Sequence, residues 1–126
     1  MIVLPTNTTK LEITLTGAVA TTQPYYTVNY EVVDAAGTST FLSTSGQTND
    51  TSVITALAAP VLGGTRRIVR SIHVHNADTN SQTVVITLDN NGTNYTLFKA
   101  TLATLECLIY ESGNGWTAYT SAGGIK

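Results

Sequence analysis

Apolar residues recur at every second position along most of this chain, and that period constrains the fold class more than any other feature. Leu11, Ile13 and Leu15 alternate with Glu12, Thr14 and Thr16. Tyr26, Val28, Tyr30 and Val32 alternate with Thr27, Asn29 and Glu31. Successive side chains of a strand point to opposite faces, so each run buries one face and wets the other. No segment carries a sustained apolar stripe at the 3.6-residue helical period; the best candidate, Thr55 to Ala59, runs into Pro60. The expectation is an all-β protein, an antiparallel two-sheet sandwich of jelly-roll type with about eight strands. A single closed barrel is the alternative.

Turn chemistry places the hairpins. Asp34-Ala35-Ala36-Gly37, Asp89-Asn90-Asn91-Gly92 and Gly113-Asn114-Gly115 each separate two strand-like runs. Arg66 to Asn76 reads as one long strand. Ideal alternation puts Ile68, Arg70, Ile72 and Val74 on one face, with Arg67, Val69, Ser71, His73 and His75 on the other. Residues 1–9 are apolar and then polar around Pro5, and read as an extended N-terminal arm able to join a neighbouring sheet edge. Residues 10–120 read as a single sandwich domain, and 121–126 as a flexible tail.

Composition narrows the function. The chain has 24 Thr, 9 Asn and 8 Ser, while charged residues make up 11% against about 25% in ordinary soluble domains. Solvation therefore rests on hydroxyls and amides. Six cations against eight acids leave a net charge of −2, a poor match for nucleic acid, which demands many clustered cations. The single cysteine, Cys107, has no internal partner and reads as a small hydrophobe within a strand. The longest mostly apolar run, Val53 to Leu62, is about half the length of a membrane-spanning helix, so no membrane partner is expected. No secretory pattern precedes Pro5, and synthesis in a cytoplasm is expected.

Candidate chemistry is sparse. Asp34, Asp50, Asp78 and Asp89 fall in or beside turn signals, where Asp serves the local backbone. There is no Gly-rich phosphate loop, nucleophile elbow or Cys-x-x-Cys motif. The reading is a non-enzyme without a cofactor. His73 and His75 project from one strand face but supply only half of a tetrahedral metal site, so they read as polar surface residues unless symmetry-related copies complete a site. Arg66, Arg67 and Arg70 are half of all the cations within five residues, and are the candidate interaction residues, facing an acidic protein surface. The aromatic residues scatter over several strands, which leaves a lectin-like carbohydrate-binding module as the alternative of another class.

The second half of the chain carries a resemblance. Gly64-Thr65-Arg66-Arg67-Ile68-Val69 leads to Ile72-His73-Val74-His75-Asn76, then Tyr95-Thr96-Leu97-Phe98, Glu106-Cys107-Leu108-Ile109-Tyr110, and Gly113-Asn114-Gly115-Trp116. This ordered set resembles small β-sandwich virion proteins of tailed bacteriophages, over about residues 63 to 124. The resemblance implies a capsid decoration (cement) protein that binds the head shell through its major capsid protein or other virion proteins, with a head–tail adaptor or tail-associated protein as the alternative. It further implies a homotrimer and a place in the virion after synthesis in the bacterial host cytoplasm.

Overall fold

The computed structural model describes residues 1–126. The chain is all-β and contains no helix. Ten strands form: β1 Ile2–Leu4, β2 Thr9–Leu15, β3 Tyr25–Val33, β4 Ser39–Gln47, β5 Ile54–Leu57, β6 Arg66–His75, β7 Gln82–Asn90, β8 Thr93–Leu102, β9 Cys107–Glu111 and β10 Gly115–Tyr119. They make two antiparallel sheets. The six-stranded sheet runs β10-β9-β6-β3-β4, with β1 also paired to β6, and the four-stranded sheet runs β5-β2-β7-β8. This is the expected two-sheet sandwich, with ten strands where about eight were anticipated. The three turn signals close the β3–β4, β7–β8 and β9–β10 hairpins. Gly37, Asn91 and Gly92, and Gly113 and Gly115 supply the positive φ angles those turns require.

The inward faces meet in one cluster of 17 buried side chains. Leu11, Ile13 and Leu15 of β2 and Val84 and Ile86 of β7 face Val28 of β3, Val69, Ile72 and Val74 of β6 and Leu108 of β9. Phe98 stacks on Trp116 at 4.9 Å and 11°, closing the side of the sandwich where β8 meets β10. The accessible surface is 6355 Å², against about 6,450 Å² for a compact monomer of this mass. No long segment therefore stands away from the body.

Both termini differ from expectation for that reason. Residues 1–9 are not a free arm. Ile2, Val3 and Leu4 pair with Val69, Ile68 and Arg67 of the chain's own β6, and Leu4 is fully buried. Burial of Ile2 and Leu4 outweighs the entropy of an ordered terminus. The tail is likewise pinned. Ile125 bridges to Tyr119, the Lys126 amide donates to the Ala118 carbonyl, and the Lys126 ammonium pairs with Glu106.

The faces of β6 also differ from ideal alternation. β3 pairs Asn29 with Ser71 and then Tyr30 with Val69, so Arg70 is an unmatched bulge residue. β6 exchanges β9 for β1 as its other neighbour at the same point. One extra residue reverses every face beyond it. Val69 is therefore buried together with Ile72 and Val74, and Ile68 takes the outer face that alternation had given Val69.

Candidate interaction surface

The three arginines face two ways, and the bulge decides which of them turns inward. Arg66 and Arg70 lie on the outer face of the six-stranded sheet. Arg67 turns to the inner side at the open end of the sandwich. There its guanidinium stands 5.4 Å from the Tyr30 ring centre and donates to the Ala58 carbonyl at 2.7 Å. Arg70 donates through Nε (2.9 Å) and Nη2 to Glu31 Oε2, and Ser39 donates its hydroxyl to the other carboxylate oxygen. These contacts, Ser39 first and then Arg70, hold the Glu31 carboxyl below its ordinary range, and Arg66 adds to the effect from a distance. Arg66 makes no hydrogen bond or ion pair of its own and is exposed. The expected interaction cluster thus resolves into a structural clamp, a half-used ion pair and one free cation.

These roles predict different variant behaviour. Arg67→Gln should cost about 1 kcal/mol, from the lost cation–π contact and carbonyl bond. Arg66→Gln should stay within about 0.5 kcal/mol of the parent. Urea unfolding of the two variants measures the difference, and equal losses would contradict the separation.

His73 and His75 do share the outer face of β6, as alternation requires. His73 sits between Thr27 and Ile109, and His75 between Tyr25 and Cys107. Burial, and then the neighbouring His75, push His73 below its ordinary value. No three His, Cys, Asp or Glu side chains gather at metal-binding distance. Cys107 is half-buried on this face, and burial followed by Glu106 pushes its thiol up, towards the protonated form.

All eight carboxylates hold parts of the chain together. Glu12 and Asp89 share Lys10, Glu31 takes Arg70, and Glu106 takes Lys126. Asp34 accepts from the amides of Ala36 and Thr38 in the β3–β4 turn, and Glu111 from Asn114 in the β9–β10 turn. Asp50 accepts from the Val19 amide and Gln23, both at 2.9 Å. Asp78 is fully buried. Burial alone would raise its carboxyl, but donors from Ala20 N (3.0 Å), Gln82 Nε2 (2.7 Å), Thr21 N (2.8 Å) and Thr21 Oγ1 (3.0 Å) outweigh it and hold the group far below the ordinary range.

A pH dependence follows with one sign. Asp50, Asp78, Glu31 and Glu106 all have depressed values in the folded state. Each contributes stability that is present above its unfolded value of about 4 and is lost as pH falls through the folded value. His73, also depressed, adds a small step in the same direction below about pH 6.5. The melting temperature should be nearly level from pH 8 to about pH 5 and fall steeply below about pH 4. A level profile down to pH 2 would contradict these assignments.

The remaining surface is nearly free of charge. Across the outer face, register rows run Tyr119–Cys107–His75–Tyr25–Gln47 and Thr117–Ile109–His73–Thr27–Ser45. The recess beside Arg70, about 310 Å³, is an open depression lined by Asn29, Tyr30, Phe41, Leu42 and Ser43. Its exposed Phe41 and Leu42 belong to β4, whose nine residues carry no charge. The turn signal before β4, Asp34 to Gly37, marked the segment that follows only as the return of a hairpin. The uncharged run from Ser39 to Gln47 was the available signal that this strand differs from the others. Compared with known proteins, the chain matches no family model, no curated protein and no solved structure.

Proposed function

We propose that this chain is a structural protein of a tailed-bacteriophage virion, in the specific form of a self-associating capsid decoration protein that binds and stabilises the head shell. One observation carries the reading. Every carboxylate and most cations are used internally, which leaves broad faces of hydroxyls, amides and scattered apolar side chains. Such faces let many copies crowd onto one shell without mutual repulsion. Binding then rests on shape, hydrogen bonds and apolar contact rather than on catalysis. The major capsid protein is the partner in this reading, with Arg66 free to orient the contact by pairing with a carboxylate.

Quantitative mass spectrometry of purified particles tests it. Copy numbers in the hundreds are expected for decoration of the head. About six or twelve copies would move the protein to the neck or tail, where rings of that symmetry occur. Absence from the particle would end the virion reading.

A further inference from the structure

Five strands have an unpaired side, β1, β4, β5, β8 and β10, and four of them are short or blocked. β1 is only three residues long. The β10 edge is overlaid by the tail, through Ile125 and Lys126. β5 is four residues long and pairs with a register shift. β8 carries Lys99 and a bulge at Leu97, the residue skipped between the Ile86–Phe98 and Thr87–Thr96 pairs. Short strands, lysines, bulges and covering segments are the usual means of stopping one sheet from adding to another. β4 has none of these. It is nine residues long, pairs with β3 without a register break, and contains no Pro, Lys or other charged residue.

The backbone phase of β4 is set by its hairpin. The Asp34 amide donates to the Thr38 carbonyl at 3.0 Å, and the Thr48 amide to the Pro24 carbonyl at 3.0 Å. Antiparallel pairs alternate between bonded and non-bonded. The even-numbered residues of β4 therefore bond to β3, and Ser39, Phe41, Ser43, Ser45 and Gln47 turn their N–H and C=O groups to the open edge. Five donor–acceptor sets, at every second residue and without a break, face outward along this edge.

We propose that β4 pairs antiparallel with β4 of a second copy of this chain, joining two six-stranded sheets across a two-fold axis at Ser43. In that register Ser39 lies opposite Gln47, Phe41 opposite Ser45 and Leu42 opposite Thr44 of the other copy. Every exposed backbone group of the edge then has a partner. Charge favours this occupant: a self-pairing strand brings each residue against a residue of its own sequence, and β4, with no charged residue, does so without repulsion at any position. The large residues Phe41 and Leu42 meet small ones, so the two strands close without a clash. The inference rests on the self-association in the reading above, but not on the virion; a dimer absent from particles would end that reading and leave this one standing.

Sedimentation of the full chain at about 100 μM tests it. The parent is expected at twice the 13.3 kDa chain mass. Ser43→Pro removes a donor that points away from β3, so it should spare the hairpin and abolish the dimer. Ser43→Lys places two ammonium groups opposite each other at the axis, and should weaken the dimer at least tenfold with an unchanged circular dichroism spectrum. A parent that sediments at one or three chain masses would overturn the proposal. So would a dimer that Ser43→Lys leaves intact.

Discussion

Leu4→Ala is expected to lower unfolding stability by about 3 kcal/mol, and deletion of residues 1–5 should leave a chain that does not fold cooperatively. Leu4 has no exposed surface and belongs to the central cluster of 17 side chains. Truncating a fully buried leucine removes its transfer free energy and leaves a cavity, together about 2–5 kcal/mol. Total stability of a domain this size is about 5–15 kcal/mol, so the loss is a large share. Deletion also removes the bonds that Ile2–Leu4 makes to β6, on the stretch where β9 is no longer its neighbour. Urea unfolding followed by tryptophan fluorescence measures both. A parent-like midpoint for Leu4→Ala would mean that the segment is only laid against the body, as an exchanging arm would be.

The N-terminal segment also marks where sequence reasoning stops. A three-residue apolar run shows that a strand forms, but it holds no information about whose sheet receives it. The hairpins were legible because Gly37, Asn91-Gly92 and Gly113 have turn chemistry of their own. The inward sets of β2 and β3 were legible because an unbroken period of two reveals a face. β6 was misread from Arg66 to Val69 because a bulge has no local marker when its residue is an ordinary arginine; the shift is imposed by neighbours 40 residues upstream and downstream of the strand's own pattern. The division of labour among Arg66, Arg67 and Arg70 was hidden with it, since one position of register decides which guanidinium faces Tyr30. The open β4 edge depends on strand order, which is a long-range property, although its lack of charge was visible.

Asn76 carries the second large expected effect. It directly follows β6 and is fully buried. Its Nδ2 donates to the carbonyls of Asn80 (2.9 Å), Leu102 (2.9 Å) and Ala103 (3.2 Å), and its Oδ1 accepts from the Asp78 amide at 3.1 Å. Its own amide and carbonyl are bonded to Glu106 and Leu105 across the β8–β9 turn. One side chain therefore ties the β6–β7 turn to the β8–β9 turn and positions Asp78, which in turn holds Ala20 and Thr21 of the β2–β3 loop. Asn76→Ala leaves buried carbonyls and an amide without partners, and should cost about 3 kcal/mol. Asn76→Asp keeps the shape but turns a carboxylate oxygen towards carbonyl oxygens, so at neutral pH it should be worse than alanine, with partial recovery as the new carboxyl is protonated in acid. Hydrogen exchange at Ala20 and Thr21 should speed up in both variants, because the Asp78 anchor loosens even though neither amide touches residue 76. A loss below about 1 kcal/mol in Asn76→Ala, with unchanged exchange at those amides, would show that the backbone bonds alone hold the two turns together.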